Sequence, residues 1–179
     1  MKKLILSAGL ALAACASPPT SGTTAQLRAA DASTSLAVGE TLTETLRSQG
    51  AGDGMDPLVA LSLRHADGRT LTFQEANHTN NDLAAQGAGG ALAQIMGLQG
   101  QEITTLYYAT EGEPSDPAPA FFCGPQGPAA IGRYDAPDGT TRYVGLREPI
   151  QFETRPDGQV EALPYSPDAV CARLHFRRG

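Results

Sequence analysis

Alternation of apolar and polar residues, broken by short turns, dominates the chain from residue 57 onward. In 57–65 and 70–75 every second residue is apolar, so Val59, Leu61, Leu63, Leu71 and Phe73 share one face of two strands. Asp67-Gly68 sits between them. Asp-Gly flanked by alternating runs marks a hairpin, because the turn needs a positive φ that glycine adopts without steric cost. The arrangement recurs at 131–135 and 141–147 around Pro137-Asp138-Gly139, and at 150–154 and 159–163 around Pro156-Asp157-Gly158. Their spacing is irregular and their flanks are unrelated, so they are hairpins and not a repeat. Residues 102–110 are apolar at both parities, Ile103 and Tyr107 against Leu106 and Tyr108, which predicts a strand covered on both faces. The last strand, 170–176, sets Val170, Ala172, Leu174 and Phe176 opposite Cys171, Arg173 and His175.

Two segments read as helix. In 40–47, Leu42 and Leu46 lie four apart and form a single apolar edge closed by Gly50. Residues 80–98 open with Asn and Asp caps and place Leu83, Leu92, Ile95 and Met96 at helical spacing. The glycines of this segment each cost a helix about 1 kcal/mol relative to alanine, so they predict close packing against a sheet. Gly87-Ala88-Gly89-Gly90 lacks the Lys-Ser/Thr that a phosphate loop requires. The expected fold class is α+β: an antiparallel sheet of hairpins covered by one main helix.

The first residues have another character. Lys2 and Lys3 precede an apolar run over 4–14, too short for a bilayer span of about 20 residues, and the stretch reads as a secretory signal. At its end, Leu12-Ala13-Ala14-Cys15 resembles the lipobox of bacterial lipoproteins. The resemblance implies a diacylglycerol thioether on Cys15, cleavage before it, and acylation of the new amino group, palmitate being the usual chain. With Ala16 next, it implies a protein anchored in the outer membrane and facing the periplasm. One acyl chain holds a protein only marginally and several hold it stably. The Ser/Thr/Pro/Gly-rich residues that follow behave as a tether. The expected organisation is a signal peptide over 1–14, a lipidated tether over 15–35 and one globular domain over 36–179.

Composition agrees with a single folded domain: 179 residues, 41% hydrophobic and 18% charged. Lys2 and Lys3 are the only lysines, so without the signal eleven arginines face nineteen acids and the net charge is -8. That balance argues against nucleic acid and anionic lipid headgroups as main partners, since both reward clustered positive charge. Arg173, Arg177 and Arg178 make a small basic cluster. Given Cys15 to lipid, Cys123 and Cys171 are an even pair, which an oxidising envelope joins in a disulfide. That bridge is expected to hold residues 121–123 on the face of the last strand opposite its apolar one. A zinc site from Cys123, Cys171 and His175 is the alternative, but it lacks close CxxC pairing. No metal and no cofactor are expected.

Catalytic residue types gather only at Glu75 and His78, with Asp82 nearby. His78 has the side chain to move a proton near neutral pH, with Glu75 as its partner. No Gly-x-Ser-x-Gly elbow or His-Glu-x-x-His motif accompanies them. His65 follows the inward parity of its strand, and His175 lies beside arginines. The expected function is a non-catalytic accessory or binding role at the cell envelope, its membrane contact made through the Cys15 lipid and its protein or ligand partner unnamed. The alternatives are a small envelope hydrolase using His78 and Glu75, and an inhibitor of an extracellular enzyme that presents the Pro-rich residues 111–119 as a wedge.

Overall fold

The computed structural model describes residues 22–48, 58–76, 95–97, 104–110, 120–163 and 166–179. Its elements in chain order are β1 (Gly22–Ala29), the short helix α1 (Ala32–Val38), β2 (Thr41–Ser48), β3 (Val59–His65), β4 (Thr70–Glu75), β5 (Thr105–Ala109), β6 (Ala130–Asp135), β7 (Thr140–Leu146), β8 (Phe152–Thr154), β9 (Val160–Ala162) and β10 (Val170–Arg178). Eight strands close into an antiparallel barrel in the order β1, β2, β3, β4, β5, β6, β7, β10. The β8–β9 hairpin forms its own two-stranded sheet.

This architecture overturns the expected α+β fold. The sheet closes on itself instead of staying open, its core lies inside the ring of strands, and the described helix has only seven residues. Most of the helix expected over 80–98 lies outside the described residues. Residues 40–47, read as helix, form β2, because the threonines at 41, 43 and 45 are β-branched and favour the pleated backbone. Strand β1 and helix α1 occupy residues assigned to the tether, so only 16–21 separate Cys15 from the first strand. The three hairpins stand where expected, with Gly68, Gly139 and Gly158 at positive φ in their turns.

Side-chain parity divides the barrel cleanly. Leu27, Leu42, Leu61, Leu63, Phe73, Tyr107, Ile131, Tyr143, Leu174 and Phe176 point inward and form one buried core. Asp31 caps α1 by accepting from Thr34 N–H at 2.7 Å, and Val38 of that helix joins the inner core. The helix thus covers one mouth of the barrel, where Thr34 Oγ1 also accepts from His175 N–H at 2.9 Å. On the outer surface of β5, β6 and β7, Leu106, Tyr134, Val144 and Leu146 form a second cluster with Met96 and Ile150. That cluster explains why 102–110 is apolar at both parities.

The disulfide between Cys123 and Cys171 is present. Its position differs from expectation. A bulge between Val170 and Ala172 breaks the parity of β10, and a Cβ placed on the inward-facing Gly145 would come within 2.7 Å of Cys123 Sγ and 3.3 Å of Cys171 Sγ. The bridge therefore lies on the lumen side, with Phe121 and Phe122 packed into the inner core. His65 ends β3 at the same mouth and stacks on Phe121 at 5.3 Å.

Candidate functional site

An eight-stranded barrel is just wide enough to fill its interior with side chains or to hold one small ligand. Here an ion pair crosses the lumen. Glu44 on β2 and Arg133 on β6 stand on strands four apart around a ring of eight, hence on opposite walls. Arg133 donates to Glu44 through Nε at 2.7 Å and Nη2 at 3.2 Å, and the Tyr143 hydroxyl donates to Glu44 Oε2. Arg133 Nη1 donates to Asp135 Oδ2 at 2.6 Å, and Thr141 Oγ1 donates to Asp135 Oδ1 at 2.8 Å. Arg178 approaches from the rim, 3.5 Å from Asp135 and 3.8 Å from Glu44.

The electrostatics fit a lock. Burial opposes the charge on Arg133, but hydrogen bonds from its guanidinium to Glu44 and the charges around it outweigh that, and its pKa is raised. Burial, followed by the Glu44 charge, pushes the Tyr143 phenol well above its ordinary value. Burial likewise pushes Tyr107 up to about 12. Both phenols are thus held protonated, as hydrogen-bond donors. A fully paired buried network of this kind fixes geometry; its acid is already occupied by three donated hydrogen bonds.

The residues singled out from the sequence are dispersed. Glu75 is at an inward position at the end of β4, and its Oε2 accepts from Val59 N–H at 3.0 Å. His78, Asp82, Cys15 and residues 111–119 lie outside the described residues. Cys123 and Cys171 are consumed by their disulfide, which removes the zinc alternative, and His175 points outward with Nδ1 3.1 Å from Asp31 Oδ2. Among the described residues no group of three or more His, Cys, Asp or Glu is placed to hold a metal.

The surface that sequence reasoning missed is the outer wall of β1 to β4. The strand register aligns its outward residues in rows: Gln26, Thr43, Arg64 and Thr70; then Thr24, Thr45, Ser62 and Thr72; then Gly22, Arg47, Ala60 and Gln74. The middle row is a ladder of four hydroxyls with an arginine on either side. The middle row, with Thr43, Arg64 and Thr70 on one side and Arg47 and Ala60 on the other, lines an open groove of about 610 Å³. Thr24 and Thr45 hydroxyls touch at 3.3 Å, while Arg47 and Arg64 are exposed and form no ion pair with a described residue. No carboxylate occupies an outward position on these four strands. Such a wall offers donors and positive charge to a ligand that carries oxygens and negative charge. The signal for it was the run Thr41-Leu-Thr43-Glu-Thr45-Leu-Arg47, in which every second residue is polar and strand-forming. The wall is also the reverse of a bilayer-spanning barrel, whose outward band is apolar. Comparison with protein-family models, curated proteins and solved structures finds no match for the chain.

Proposed function

We propose that this is a lipid-anchored cell-envelope protein, held by Cys15 to the outer membrane and facing the periplasm, whose barrel has a non-catalytic binding role exercised through the groove on β1 to β4. The observation that carries the binding role is the hydroxyl ladder between Arg47 and Arg64, bare of carboxylates and unpaired with described acids. The ligand class that suits it is anionic and rich in hydroxyl or ester oxygens. The lumen supports the same reading from the other side, because its acid and arginine are spent on each other across the barrel. The lipobox at Leu12-Ala13-Ala14-Cys15 supports the anchor.

Mass spectrometry of the mature N-terminus tests the anchor: an acylated Cys15 is expected, and an unacylated start or a cut elsewhere overturns it. For the groove, solubilised envelope material is captured with the wild type and with Arg47→Glu/Arg64→Glu. A bound species lost only from the double variant is the expected result, whereas identical captures overturn the groove as the binding surface.

A further inference from the structure

We infer that the β1 to β4 wall docks on the anionic phospholipid headgroups of the membrane that carries the Cys15 anchor. The inference rests on the lipid-anchored reading and deepens it. Two observations carry it.

The first is distance. Only residues 16–21 lie between Cys15 and Gly22, the first residue of β1. An extended chain spans at most about 3.6 Å per residue, so Gly22 stays within roughly 25 Å of the lipid-bearing residue. Gly22 is registered directly opposite Arg47, which puts one end of the groove next to the tether.

The second is charge complementarity. Arg28, Arg47 and Arg64 are all exposed and outward on adjacent strands, and no acid takes an outward position on those described strands. An anionic leaflet attracts basic residues within a Debye length of its surface. The hydroxyl ladder between the arginines matches phosphodiester and glycerol oxygens. The opposite wall, on β5 to β7, is already covered by the apolar cluster around Met96 and Ile150, whereas among the described residues none of that cluster packs on the β1 to β4 side.

The test uses the mature chain with Cys15→Ser, which cannot be acylated, sedimented with vesicles of phosphatidylcholine alone or with added phosphatidylglycerol. Binding is expected only to the phosphatidylglycerol vesicles and is expected to weaken with salt. Each basic residue near such a surface is worth about fivefold in partitioning, so neutralising Arg28, Arg47 and Arg64 together to Gln lowers it by about a hundredfold. Neutralising Arg142, Arg147 and Arg155 changes net charge equally but leaves binding largely intact, with circular dichroism confirming that both triple variants are folded. No binding by the Cys15→Ser chain, or equal losses in the two triple variants, overturns the docking. Displacement by inorganic phosphate also overturns it, since that marks a site for a free anion. Mass spectrometry of the wild-type N-terminus separates the two readings: an acylated Cys15 without vesicle binding sinks the docking alone, whereas an unacylated one sinks the anchor and the docking with it.

Discussion

The lumen and the outer wall of this barrel treat charge in opposite ways. On the eight barrel strands every carboxylate, Glu44, Glu75 and Asp135, occupies an inward position. Of the arginines on the same strands, Arg133 and Arg178 face inward, while Arg28, Arg47, Arg64, Arg142, Arg173 and Arg177 face outward. A charge inside must be paired, because an uncompensated buried ion is expensive; a charge outside is solvated and needs no partner. The acidic balance of the whole chain therefore describes neither surface. It averages over acids turned into the lumen, acids elsewhere along the chain, and a wall whose described outward positions are basic.

The contrast is sharpest at Glu44. Glu44→Gln removes the buried counter-ion of Arg133 and leaves it only the half-exposed Asp135, and a loss of about 3 kcal/mol in urea unfolding is expected. Combining Glu44→Leu, Arg133→Met and Tyr143→Phe removes both charges and the phenol that would lose its acceptor, and should recover most of that loss; failure to recover would mean that packing, not charge, is what the lumen needs. Removing the bridge with Cys123→Ala/Cys171→Ala is expected to cost about 4 kcal/mol, since it frees a closure of 48 residues in the unfolded chain. A midpoint unchanged by reduction would place the disulfide outside the stabilising core.

Smaller effects separate inside from outside more finely. Gly145→Ala forces a methyl against the disulfide and should cost about 1–3 kcal/mol. Gly132→Ala, on the outer face, meets only the flexible end of Met96 at 3.1 Å and should cost much less; equal losses would erase the distinction. Asp31→Ala removes the cap of α1 and is expected to cost about 1 kcal/mol at neutral pH. The backbone hydrogen bond from Thr34, then that from the Ser33 hydroxyl, lower the Asp31 pKa from 3.8 to about 2 in the folded chain. Its contribution is therefore complete above about pH 4 and fades as pH falls through 2, so thermal melts of wild type and variant should converge over that window. Thr45→Ala on the wall should shift stability by less than about 0.5 kcal/mol, leaving the groove free to be probed without unfolding the barrel.

How much of this was legible in the sequence follows from how local each signal is. The β3–β4 and β6–β7 hairpins were readable because their alternation and turn glycines lie within a few residues of each other. The disulfide followed from counting cysteines. Strand β2 was misread because Leu42 and Leu46 satisfy both a period of two and a period near four, while Glu44 between them, at an inward position, spoils the apolar side of a strand. Its partner Arg133 is 89 residues away, and no local pattern announces such a pair. Closure of the sheet by β1 against β10 is equally remote, so the hairpins were visible and the barrel was not. The groove went unseen for the same reason, since its rows exist only once β1 and β2 are placed as strands.

That remote closure also sets an order of events. Because a chain is made from its N-terminus, β1 to β7 can pair in sequence as a meander while both margins of the growing sheet, β1 and β7, stay open. Unpaired margins recruit other chains. Only β10, at Val170–Arg178, bonds to both of them at once. The final strand is thus a seal, and the interval before it arrives is when the protein is most exposed to pairing with a second copy of itself.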